Sequence, residues 1–147
     1  MKQIKSKKRV KEFAEVFTAE REVKSMCDLI PKEMWDNIES SFLEPACGNG
    51  NFLVEILERK LKRCKTVEQG LTALQSIYGI DIQADNVEES KQRLFDMFIK
   101  YFPKSPATTG LIAVSILENN IKCGNSLEIM KEMSATSTQK KRVKNGY

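Results

Sequence analysis

Three short apolar segments, at residues 41–46, 76–82 and 120–127, alternate with stretches of helical periodicity, and this alternation constrains the fold more than any other feature. After the first segment, Leu53, Ile56, Leu57 and Leu61 recur at helical spacing from Asn51, and "TVEQGLTALQSI" continues as a helix weakened by Gly70. After the second, "SIYGIDI", Asp85 with Glu88 resembles a capping box for a long helix over residues 86–101, with Val87, Leu94, Phe95, Phe98 and Phe102 inward and Pro103 and Pro106 ending it. "TTGLIAVSILENN" reads as a helix or an irregular apolar stretch. After the third segment, a helix begins near Ser126, and from Ser134 the chain is polar and without periodicity. Strands alternating with helices predict an α/β fold with three parallel strands joined by right-handed crossovers. Helices precede the sheet. Residues 8–16 carry Val10, Phe13, Ala14 and Phe17; Thr18 can cap a second helix through Ile30 with Val23, Met26, Cys27 and Ile30 as its stripe; Pro31 suits the first turn of a third that turns Met34, Trp35 and Ile38 inward.

The chain has 147 residues, which suits one domain, and is 41% hydrophobic and 30% charged. No apolar run approaches the roughly 20 residues of a membrane helix. The lysine-rich start has no apolar run behind it, so it is not a secretory signal, and a cytoplasmic location is expected. Absence of histidine removes Cys/His zinc sites and any histidine general base, and no metal site is expected. Cys27, Cys47, Cys64 and Cys123 form no CxxC pair and read as free thiols, mostly small core fillers. Net charge is +4, with basic residues crowded at both ends: Lys2, Lys5, Lys7, Lys8, Arg9 and Lys11, then Lys140, Lys141, Arg142 and Lys144. Such clusters are solvated termini or hold nucleic-acid phosphates.

In parallel sheets ligands bind beyond the C-terminal strand ends. The polar signals sit there: the stretch from Glu44 to Asn51, then Asp81, then Asn125. In "EPACGNGNF", Gly48 and Gly50 let bare backbone approach a ligand, and the helix from Asn51 offers free N–H groups to an anionic group. A carboxylate at Asp81 can accept ribose hydroxyls. Together they describe a site for a nucleoside carrying a small charged group, against the plainer reading of a tight turn that binds nothing. A dinucleotide site prefers GxGxxG, and the third position here is Leu53, which disfavours a pyrophosphate. S-adenosylmethionine has no phosphate, and Glu44 lies beside the loop to meet its ammonium.

"FLEPACGNGNFL" resembles the first motif of the S-adenosylmethionine-dependent DNA methyltransferases of restriction–modification systems, adenine-N6 type. "VFTAEREVKSM" resembles the motif before it, a Phe-Thr-Pro turn over the methionine end of the cofactor, with Ala19 in place of proline. "YGIDI" and "IKCGNSL" resemble the second and third motifs. The resemblance spans residues 13–127 in order and implies a Rossmann-like class I methyltransferase fold, represented by its N-terminal half. It implies that Phe17 and Thr18 cover the methionine part and that Glu44, Pro45, Ala46, Cys47, Gly48 and Gly50 line the same end. It implies that Asp81 takes the ribose, Ile82 packs on the adenine ring and Asn125 bonds its edge. Ile82 as simple core and Cys47 as a small buried residue are the alternatives.

The family's catalytic motif, (Asp/Asn/Ser)-Pro-Pro-(Tyr/Phe), reads a flipped adenine, and this chain contains no Pro-Pro. No catalytic residue is therefore assigned. The expected organisation is an N-terminal helical segment with the closing motif at 1–40, an S-adenosylmethionine-binding half-domain at 41–134 and a polar tail at 135–147. The expected whole is a fragment, truncated gene or subunit that meets DNA through a full-length protein or partner chain. The missing C-terminal half, or a second copy, would complete its sheet. A non-catalytic interaction module and a nicotinamide-binding domain are the competing classes.

Overall fold

A computed structural model describes residues 19–144, with side chains described to residue 136. The expected helix at residues 8–16, the Thr18 cap and Phe17 lie outside the described residues. Among the described residues two helices come first, α1 (Glu20–Cys27) and α2 (Lys32–Asp36), followed by strand β1 (Phe42–Glu44). Next come α3 (Asn51–Leu61), α4 (Val67–Gln75), β2 (Ile77–Asp81), α5 (Ala84–Tyr101), α6 (Ala107–Asn120), β3 (Ile121–Cys123) and α7 (Ser126–Lys144). The strands form one parallel sheet in the order β1-β2-β3, with Phe42 opposite Ile77 and Gly79 opposite Ile121. Each crossover contains two helices, more than the single long connection that parallel pairing needs.

The periodicity of α3 sets the core. Leu53, Ile56, Leu57 and Leu61 are all buried, against Val87, Leu94 and Phe98 of α5 and Ile77 of β2. Burying each large apolar side chain is worth about 1.5–3 kcal/mol. Leu53 faces the sheet at Gly79, where a Cβ would come within 2.6 Å of its Cδ1. The close helix–strand approach that a third loop glycine would give is thus supplied from the strand side. Gly70 has a matching role on α4: a Cβ there would meet the Phe102 ring at 2.3 Å. At the other end of the sheet the fully buried Lys60 donates to the carbonyls of Ile38 and Ser40 and to Ser76 Oγ. It ties the entries of β1 and β2 to α3.

Several local expectations change. Helix α1 stops at Cys27, with Asp28 as its C-cap, and does not run to Ile30. Met34 is exposed because the five-residue α2 turns only Trp35 inward, onto Phe42 at 5.2 Å between ring centres. The Asp85–Glu88 capping box does not form; Gln83 is the N-cap without a side-chain bond, and Asp85 Oδ1 accepts from the Asn86 amide. β1 is half open, with Leu43 39% exposed. The helix from Ser126 continues past Ser134 to Lys144. Cys123 is exposed, whereas Cys27 and Cys47 are core. Among the described residues no helix is long and apolar enough to cross a membrane.

Candidate functional site at the strand ends

The chain leaves β1 at Glu44 through a turn formed by Pro45 and Ala46. The Ala46 amide donates to Glu44 Oε1 at 3.1 Å, and the Cys47 amide donates to the Ile80 carbonyl at 2.8 Å, which keeps the turn against β2. Gly48 (φ 54°) and Gly50 (φ 92°) then take left-handed backbone, open to glycine at little cost. Gly50 is the N-cap of α3 and brings no side chain to it, so the positive end of the helix faces the loop uncovered by a capping group.

Asp81 joins the loop to the second strand end. Its Oδ2 accepts from the Gly48 amide at 3.0 Å, and its Oδ1 accepts from the Gln83 amide at 2.8 Å and from Asn86 Nδ2 at 3.2 Å. These three bonds use most of the roughly four acceptor positions of a carboxylate and leave about one for a ligand hydroxyl. The Asp81 carbonyl accepts from the Gly124 amide at 3.0 Å, which draws in the turn after β3. Beyond Gly124, Asn125 is exposed, and its Oδ1 accepts from the Glu128 amide at 3.2 Å, capping α7. Its amide N–H groups are the part left for a ligand edge.

Ile82 follows directly and is 61% exposed, so it is not core. Burial pushes the carboxyl of half-buried Glu44 up, with the Ala46 amide opposing. The Cys47 thiol is pushed up to about 12, chiefly by burial, which makes it a neutral packing group rather than a nucleophile. The structure therefore brings Glu44, Pro45, Ala46, Cys47, Gly48, Gly50, Asp81 and Ile82 to one end of the sheet, with Asn125 beside them. Phe17 and Thr18 fall outside the described residues.

Four residues escaped the sequence reading. Asn86, Ser90 and Arg93 on α5 all bond to this loop or to Asp81. Their spacing on one helix face was the available signal. The fourth is Asn49, whose Oδ1 is buried with no hydrogen-bond partner among the described residues. A buried acceptor of that kind is uncommon in a folded protein.

No family model matches the chain, and no solved structure matches it. Two curated relatives do. Over 109 residues, 63% of this chain and 9% of the relative, it is 30% identical to a putative type II restriction enzyme and methyltransferase, RM.MjaORFECS2P, of Methanocaldococcus jannaschii. Over 70 residues, 48% of this chain and 14% of the relative, it is 37% identical to the type II methyltransferase M.VspI of a Vibrio species. The chain thus matches only a small part of either relative's length.

Proposed function

We propose that this chain is the cofactor-binding part of an S-adenosylmethionine-dependent DNA methyltransferase of a restriction–modification system, adenine-N6 type. The observation that carries the reading is the bond from the Gly48 amide to Asp81, which fixes a two-glycine loop at a helix N-terminus beside a carboxylate. Similarity to two proteins named as type II methyltransferases supports the same class.

The residues present fit the group. The backbone of Gly48 to Gly50 and the start of α3 suit its carboxylate. Glu44 and the orphaned Asn49 Oδ1 are acceptors for its ammonium. The remaining acceptor position of Asp81 suits a ribose hydroxyl, exposed Ile82 an adenine face, and the Asn125 amide its edge. By the family resemblance, Phe17 and Thr18 close over the methionine end. When bound, the cofactor supplies a methyl group on a positively charged sulfur. A pyrophosphate is disfavoured only by the departure from the dinucleotide pattern, in which Leu53 stands where the third glycine would be. DNA recognition and the acceptor-binding groups belong to a longer protein or a partner chain.

Titration calorimetry with S-adenosylmethionine should give saturable binding. Asp81→Ala should weaken it about tenfold or more, the equivalent of about 1.5–3 kcal/mol for a hydrogen bond to a charged group. The absence of both heat and a thermal shift at saturating cofactor would sink the proposal, and tighter binding of NADH would favour an oxidoreductase domain. With radiolabelled cofactor and mixed-sequence DNA, the chain alone should leave the DNA unlabelled. Label above background would reveal an acceptor site in these residues.

A further inference from the structure

We infer that Asn86, Ser90 and Arg93 are positioning residues that hold loop 48–51 in the shape that receives the cofactor, an assignment that rests on the methyl-donor reading above. They stand at i, i+4 and i+7 on α5 and so share one face of the helix. Asn86 Nδ2 donates to Asp81 Oδ1 at 3.2 Å, and the Ser90 hydroxyl donates to the Gly48 carbonyl at 3.0 Å. Arg93 Nη1 donates to the Asn49 carbonyl at 2.9 Å and to Asn51 Oδ1 at 2.8 Å. Ser90 and Arg93 grip successive points of the loop from behind, and Asn86 holds the Asp81 carboxylate that accepts from the Gly48 amide, so the loop's front is left to the strand ends.

Packing alone does not account for them. Asn86 and Ser90 are fully buried, where an apolar side chain would avoid the desolvation that a polar group suffers. The helix also lies hard against the loop: a Cβ on Gly50 would sit 2.9 Å from Ser90 Oγ and 3.2 Å from Ser90 Cα. Glycine is needed at position 50 both for its φ of 92° and because α5 occupies the space. A segment with two left-handed glycines has many alternative conformations when nothing holds it. Apparent affinity falls in proportion to the fraction of chains in the competent shape, so a ladder that keeps that fraction high acts on binding without touching the ligand.

Amide exchange in the cofactor-free protein tests the holding role directly. In Arg93→Ala and Ser90→Ala the amides of Gly48 and Gly50 should exchange faster than in the wild type, while those of Gly79 and Ile80 in β2 keep their rates. Affinity for S-adenosylmethionine should drop about tenfold in each if the competent fraction drops to about a tenth. Low-millimolar guanidinium should restore binding to Arg93→Ala, whose lost group it replaces, and not to Ser90→Ala. Should Ser90→Ala fail to fold, the part-buried Arg93 carries the test, with Arg93→Lys as the milder variant. Loop amides at wild-type rates, or unchanged cofactor affinity, overturn the assignment. If the wild type itself binds no S-adenosylmethionine, the methyl-donor reading fails, and the exchange rates still decide whether the ladder holds the loop.

Discussion

Cys47 sits in the middle of the proposed site, 6% exposed, with its sulfur 3.7 Å from the Gly48 carbonyl and 3.9 Å from Ser90 Oγ. Burial raises its pKa from 9.0 to about 12, and the carboxylates of Asp81 and Glu44 push the same way. The unfolded chain ionises this thiol near pH 9 and the folded chain does not. Between these values the unfolded state binds fewer protons, so the contribution of Cys47 to stability is whole below pH 9 and is lost as the pH rises towards 12. The thiolate is the reacting species in alkylation. Iodoacetamide at mildly alkaline pH should therefore modify exposed Cys123 first and leave Cys47 intact until denaturant is added. Peptide mapping that found Cys47 labelled early in the native protein would show that the loop opens or that the thiol is not buried.

Helix α3 packs on strand β2 with Leu53 directly over Gly79, beside the glycine loop. A Cβ on Gly79 would lie 2.6 Å from Leu53 Cδ1 and 3.2 Å from Cys47 Cβ. Gly79→Ala should cost about 1–3 kcal/mol by overpacking. Leu53→Ala should cost about 2–5 kcal/mol through the cavity it leaves. The double variant should lose less than the sum of the two, because the shortened side chain makes room for the added methyl. Urea unfolding of all four proteins gives the coupling, and strict additivity would mean that the two residues do not share this contact. The α3 stripe of Leu53, Ile56, Leu57 and Leu61 was legible because a helix repeats its buried face every three or four residues, and the glycine turn because few residues adopt positive φ. The shared face of Ser90 and Arg93 was visible in their spacing, but their partners and that of Gly79 were not, since these lie some 26 to 44 positions away. Helix α7 was cut short at Ser134 because its polar half has no apolar period, while its Gln, Lys and Arg residues are good helix formers without one.

At the scale of the molecule the sheet is covered unequally. Helices α3 and α5 close the face that carries Ile77 and Gly79. On the other face Leu43, Tyr78, Ile80 and Lys122 line a cavity of about 420 Å³, bounded by Ile129 and Met133 of α7. Among the described residues β1 pairs only with β2. Its second edge leaves backbone N–H and C=O groups without a ladder, next to a leucine that is 39% exposed. Parallel sheets are stable with both faces covered, and open edges recruit strands. The expected outcome is self-association of the isolated chain through β1 and this face, seen as a rise in scattering mass across a concentration series. Leu43→Lys puts a charge on the edge strand and into the cavity wall, and should return the chain to monomer without loss of cofactor binding, because position 43 points away from the loop-bearing face. A chain that stays monomeric at every concentration, with amides of residues 42–44 protected from exchange, would mean that another part of the same chain covers the edge. In that case Leu43→Lys should lower thermal stability instead of changing mass, so the two arrangements give opposite readings from one variant.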